Sequence, residues 1–219
     1  MKEVFEIGLN LIRKIEETQS ENLEASGILI AHAFMNGHQF FVSGSGHSHT
    51  VTEEFYGRAG GLAFVKPILT SELTLTEHPT KSSYLERLNG YASILAELYH
   101  ISKDDVVLIA SNSGRNAYPV ELAIESKKRG AKVIAITNIN HSSQVTSRHE
   151  SGLLLKDVAD IVIDNCGVIG DSALQLEGMN AGMCPTSSMA NSFIVQAINV
   201  ACGQELLKNG VQPPVFVSL

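Results

Sequence analysis

The stretch Phe40-Phe41-Val42-Ser43-Gly44-Ser45-Gly46-His47-Ser48-His49-Thr50 decides the fold. Its apolar start reads as a buried strand, and the small, hydroxyl-rich turn that follows leads into a helix from about Ser48. Glycines let the backbone double back, so amide N–H groups and hydroxyls converge at a helix start, where an anion is stabilised. Phosphate is the anion that suits such a turn, and two histidines distinguish it from ordinary capping chemistry.

The same grammar recurs further along. Val106-Val107-Leu108-Ile109-Ala110 reads as a fully buried strand, followed by Ser111-Asn112-Ser113-Gly114-Arg115-Asn116 and a helix over 117–129 capped by Gly130. Pro185-Thr186-Ser187-Ser188 opens a long helix running through Cys202, with Pro and hydroxyls as its N-terminal signals. Further strands are predicted over 62–68, 132–137 and 160–163, a helix over 84–100, and a polar loop over 70–80. Strands alternating with helices predict an α/β fold: three α/β/α layers around a doubly wound, five-stranded parallel sheet. Ahead of the first strand, apolar spacing predicts helices over 4–17 and 23–35, separated by a cap at Ser20-Glu21-Asn22. Residues 1–36 are thus expected to form a helical arm packed on the domain or on a partner subunit, with 37–219 as the ligand-binding domain.

Bulk composition narrows the partners. The 219 residues are 44% hydrophobic and 18% charged, an ordinary globular balance. A net charge of -7 without Lys/Arg runs argues against nucleic acid. No apolar run is long enough for a membrane span, and Met1-Lys2-Glu3-Val4-Phe5-Glu6 lacks a signal-peptide layout, so a cytoplasmic location is expected. Cys166, Cys184 and Cys202 are odd in number and widely spaced, which points to reduced thiols rather than disulfides or a zinc knuckle.

Ligands of doubly wound sheets bind outside the carboxyl ends of the strands. Three hydroxyl-rich helix starts there suit a small phosphorylated, hydroxyl-bearing ligand better than a dinucleotide. The dinucleotide fingerprint fails after Gly44 and Gly46, where Ser48, His49 and Thr50 stand in place of a third glycine, and no Walker loop occurs. Each turn taken alone is also ordinary capping chemistry, and it is their recurrence that points to a site.

These turns resemble those of the sugar isomerase (SIS) domain family, whose members bind phosphosugars on a flavodoxin-like sheet. The resemblance rests on Ser45-Gly46-His47-Ser48, Ser111-Asn112-Ser113-Gly114-Arg115-Asn116 and Cys184-Pro185-Thr186-Ser187-Ser188, and spans about 40–202. It implies that Ser48, Ser111, Ser113 and Ser188 hold phosphate or sugar hydroxyls, with Ser45, His49, Asn112, Asn116, Thr186 and Ser187 close by. The chain as a whole is similar to stand-alone phosphosugar-binding members. Phosphoheptose isomerases, arabinose 5-phosphate isomerases and N-acetylmuramic acid 6-phosphate etherases are relatives of interest.

Aldose–ketose isomerisation through an enediol needs a base near a carbon next to a carbonyl, and a group that polarises the oxygen. Glu177 is the first candidate base, lying eight residues before Pro185 as an acid does in the arabinose 5-phosphate isomerases. Its bland alternative is a solvated loop acid. His47 stands where those enzymes carry lysine, placed either to polarise the carbonyl or to donate to phosphate. Glu53 and Glu54 lie one turn beyond Ser48, where one faces the site and the other solvent; Glu54 is the further catalytic candidate. Arg58 occupies the position of the helical glutamate of the heptose isomerases and etherases, which counts against their chemistry.

No cofactor is implied. Histidines 47, 49, 78, 141 and 149 lack a zinc-binding spacing, so no metal is assigned. Two functions stay open: a phosphosugar isomerase, with lyase or etherase cleavage as a chemical variant, and a non-catalytic phosphosugar sensor. The family resemblance and the amphipathic N-terminal helices also predict a homodimer or homotetramer, in which a residue such as His78 is placed to enter a neighbour's site.

Overall fold

In the computed structural model, which describes residues 1–78 and 80–218, the chain begins with a single 34-residue helix, α1 (Lys2–Met35), where two were expected. The anticipated cap at Ser20-Glu21-Asn22 does not interrupt it. Ser20 donates back to the Glu16 carbonyl at 2.5 Å, and Asn22 donates to Gln19 Oε1 and to the carbonyl of Val162. Leu11, Ile15, Gln19, Leu23, Gly27 and Ile30 form one continuous buried stripe, so tertiary packing overrides the local stop signal.

The remaining elements follow in order: β1 (Phe40–Gly44), α2 (His49–Phe55), β2 (Val65–Ile68), α3 (Lys81–Leu85), α4 (Tyr91–Leu98), β3 (Val106–Ala110) and α5 (Ala117–Lys128). Then come β4 (Lys132–Thr137), α6 (Ile139–Ser142), α7 (Leu155–Val158), β5 (Ile161–Asp164) and α8 (Thr186–Lys208). All strand pairs are parallel, in the order β2-β1-β3-β4-β5. The five-stranded parallel sheet is therefore the one expected, with two local differences. The helix over 84–100 is broken into α3 and α4, because Gly90 takes a left-handed φ of 91°. The strand over 62–68 shortens to β2, while Leu62 bridges antiparallel to Val215 in the C-terminal tail. Pro67 lies on this edge strand, where a missing N–H disrupts no inner ladder.

Alternation along the strands builds two cores. Phe40, Val42, Val106, Leu108, Ala110, Ile134 and Ile136 face α1, α2 and α8. Their neighbours Phe41, Val107, Ile109, Val133 and Ala135 face α4, α5 and α7. Each fully buried aliphatic or aromatic side chain contributes on the order of 1.5–3 kcal/mol. The N-terminal helix thus forms, with α8, one outer layer of the sandwich, and Gly27 lets the two helices approach: a Cβ there would lie 2.5 Å from that of Ala201. His32 Nε2 and Glu205 Oε1, 3.0 Å apart, join their ends.

The cysteines are free thiols, and burial pushes Cys202 up to about 12. Among the described residues, no helix is long and apolar enough to cross a membrane.

Because β1 runs into α2 on one face and β3 into α5 on the other, the connections diverge at the carboxyl ends of these adjacent strands. Such a divergence is where doubly wound sheets bind their ligands, and it is where a ligand is expected from the sequence.

Candidate functional site

At the first turn, Ser43 is buried and its hydroxyl lies 2.7 Å from that of Tyr118, locking β1 to α5. Gly44 is needed because the chain folds back on itself: a Cβ there would meet the Ser48 carbonyl oxygen at 2.3 Å. Gly46 then takes φ 57°, starting a single 3₁₀ turn that feeds α2. His49 is buried and lies with Nδ1 2.5 Å from the Gly46 carbonyl, which fixes Nδ1 as a donor and aims Nε2 at Glu53, 3.4 Å away. His47 is exposed and points across the crevice, with Nε2 3.1 Å from Ser188 Oγ.

At the second turn, Ser111 Oγ accepts the Gly114 N–H at 3.2 Å and closes the loop. Asn112 faces β5, its Oδ1 accepting from Asn165 at 2.9 Å. Asn116 precedes α5 but does not cap it. Its amide donates to Glu86 Oε1 at 2.6 Å and accepts from Arg148 Nη1 at 2.8 Å. The hydroxyls of Ser48 and Ser113 bond to no described side chain or backbone group and remain available.

At the third turn, the start of α8 is already satisfied from within. Asp171 accepts from the backbone N–H groups of Thr186 and Ser187 at 2.9 and 2.7 Å, and from both of their hydroxyls. Thr186 Oγ1 also accepts the Val168 N–H. Ser188 is the residue of this group that faces the crevice, through His47.

The carboxylate at the centre of these contacts is Glu86. Ser45 donates to its Oε2 at 2.7 Å and Asn116 to its Oε1, so it joins the first turn to the second. Burial raises its pKa above the ordinary value, outweighing the Ser45 hydrogen bond and the nearby positive charges of Arg87 and Arg148. A partly buried carboxyl with a raised pKa, held among hydroxyl and amide groups, is a candidate for general acid–base work. No local motif marked Glu86.

The other candidate acids sit elsewhere. Glu54 accepts from Arg58 and, at 2.6 Å, from Gln196 of α8, so it is engaged between helices. Arg58 is exposed. Glu177 is exposed near the tip of a loop closed by the antiparallel bridge between Leu174 and Met183, and it bonds to no described side chain or backbone group. His78 is exposed and hydrogen-bonds within its own loop to Thr80. Among the described residues, no three His, Cys, Asp or Glu side chains converge as metal ligands would.

Comparison with known proteins places this geometry. A model of the SIS domain matches residues 5–138. A UPF0309 protein of Halalkalibacterium halodurans is 46% identical over 95% of this chain and 86% of its own length. A phosphoheptose isomerase from Francisella tularensis superposes with a TM-score of 0.57 at 16% identity, covering 93% of this chain and 96% of that one. The Vibrio vulnificus NanR protein, solved in complex with ManNAc-6P, gives 0.57 at 16% identity over 95% of this chain and 64% of its own. At these identities the structures share the fold.

Proposed function

Because the chain belongs to the SIS domain family, we propose that it binds a phosphorylated sugar in the crevice between β1 and β3 and isomerises it between aldose and ketose. The observation that carries this reading is the Glu86 carboxyl held between Ser45 and Asn116, beside the uncommitted hydroxyls of Ser48 and Ser113. Ser48, Ser113 and Ser188 receive the phosphate; a phosphosugar ligand is also what the fold relative NanR was solved with. Glu86 takes the proton from the carbon next to the carbonyl, leaving an enediol, and returns it to the neighbouring carbon. His47 is positioned to donate to the oxygen on which charge develops. Glu177 is the second candidate base, reaching the sugar only if its loop folds over the crevice.

Lyase or etherase cleavage begins with the same proton abstraction and differs in the leaving group. A non-catalytic sensor is the second reading, and the engagement of Glu54 with Arg58 and Gln196 favours it, since the α2 acid is then withheld from chemistry.

Incubation with a panel of sugar monophosphates in heavy water separates these readings. Deuterium uptake beside the carbonyl, with interconversion of aldose and ketose, supports isomerisation. Uptake with fragment release assigns cleavage, and binding without uptake assigns the sensor.

Assembly as a homodimer or homotetramer is proposed as well. Phe193, Val200 and Leu207 are each more than half exposed at seven-residue intervals along α8, an apolar stripe that a second copy would cover. Light scattering that gives the monomer mass at micromolar concentration would count against it.

A further inference from the structure

Arg87 and Arg148 lie near Glu86, and Arg115 lies near Arg148; the proton transfer uses none of the three. Arg148 donates through Nη1 to Asn116 Oδ1 at 2.8 Å, and its backbone N–H donates to the Arg115 carbonyl at 2.7 Å. The Arg115 guanidinium is pinned by the Thr146 carbonyl at 2.9 Å. Arg87 follows Glu86 directly and is exposed, its side chain bonded to no described residue. Among the described residues, none of the three lies within 4.0 Å of a carboxylate, a condition they share with Arg13, Lys14, Lys66, Arg129 and Lys156; what sets the three apart is their place near Glu86.

The three groups are close enough to feel one another. Burial, and then the charges of Arg115 and Arg87, pull the pKa of Arg148 down. In a chain of net charge -7, holding like charges together at one edge of a crevice is unfavourable until an anion joins them. Glu86 offsets part of this charge but does not contact the guanidinium of Arg148, because the Asn116 amide stands between them, taking one hydrogen bond from Arg148 and giving one to Glu86. Most guanidinium N–H groups therefore stay free for a planar, bidentate acceptor. Ser48, Ser113 and Ser188, at the three helix starts, carry no charge of their own.

We propose that Arg87, Arg115 and Arg148 receive a second anionic group of the ligand, so that the substrate class is a phosphosugar bearing a further carboxylate or phosphoryl group. This rests on the phosphosugar reading of the same crevice. The serine turns take one phosphate, the sugar carbons lie beside Glu86, and the second anion lies beyond Asn116.

Calorimetric titration of the full chain tests this with matched pairs: glucose 6-phosphate against 6-phosphogluconate, and fructose 6-phosphate against fructose 1,6-bisphosphate. The sugar with two anionic groups in at least one pair should bind tenfold tighter or better, which is about 1.4 kcal/mol. The first pair reports a carboxylate and the second a phosphoryl group. In Arg148→Gln and Arg115→Gln that ratio should fall below about threefold. Should either variant fail to fold, Arg87→Gln carries the same comparison, because its side chain makes no contact to lose.

Equal affinities within both pairs would overturn the inference and leave the phosphosugar reading standing. So would a ratio that survives in all three variants, for the arginines would then hold the sole phosphate or nothing. Binding by no member of the panel would overturn the phosphosugar reading and the inference with it.

Discussion

Ser45 donates its hydroxyl to Glu86 at 2.7 Å, joining residues 41 apart in sequence and tying the first turn to the segment between α3 and α4. Through this bond, and its counterpart from Asn116, the crevice acquires a half-buried acid that neither turn contains.

Exchange of Glu86 for Gln is expected to abolish deuterium uptake from solvent by at least about a hundredfold, the usual scale for loss of a positioned base. Gln preserves the shape and can still bond to Ser45 and Asn116, so binding should persist. Glu177→Gln should leave uptake within about threefold. Nuclear magnetic resonance of substrate in heavy water reads both, and the reverse pattern would transfer the role to Glu177.

The same residue gives a pH signature. Its folded pKa is raised, so the protonated form is the one that the folded state favours. That contribution to stability is fully present below the ordinary value near 4.5 and is lost as pH rises through the higher folded value. Glu86→Gln removes the cost of the buried charge, and should melt at or above the wild-type temperature at pH 7–8. The difference should shrink or reverse at pH 4. Thermal melts of both proteins across this range check it, with the difference cancelling the other carboxylates.

Gly27→Val is expected to destabilise the protein by about 1–3 kcal/mol, the usual cost of overpacking, because α1 and α8 must move apart. The added Cβ would lie 2.5 Å from Ala201 Cβ and 2.6 Å from the Cys202 backbone nitrogen. Urea denaturation would show a lower midpoint, and an unchanged one would mean that the helices do not cross this closely.

Asp171→Ala removes the acceptor for two N–H groups and two hydroxyls at the start of α8. Loss of such a cap should reduce stability by about 1–2 kcal/mol. Asp171→Asn, which retains an acceptor oxygen, should recover part of it. Phosphosugar affinity should fall in the alanine variant, since Ser188 lies in the same first turn. Urea melts and titration together separate the two effects.

Local patterning was enough to reveal the strands. The short, continuously apolar runs at 40–44, 106–110 and 132–137 need only neighbours in sequence, and the glycine turns after β1 and β3 follow from steric demand at Gly44, Gly46 and Gly114. Boundaries that depend on distant contacts were not legible. The stop expected at Ser20 is absorbed into α1, because the stripe from Leu11 to Ile30 packs on α8 and the sheet. The helix over 84–100 breaks at Gly90, whose left-handed backbone the periodicity of the apolar residues concealed.

The α/β class, the five-strand parallel sheet and the three hydroxyl-rich helix starts were determined by the sequence itself, because the strands, turns and alternating helices that imply them are each spelled by residues within a few positions of one another. Only the tertiary structure decided how those starts are used: Asp171 fills the one at α8, Asn116 turns from its helix to Glu86, and Arg148 arrives from a loop 32 residues away to join them. A carboxyl's burial, and the charges that surround it, are set by chain segments brought together only on folding. The acid of this site and the arginines beside it therefore lay beyond any local pattern.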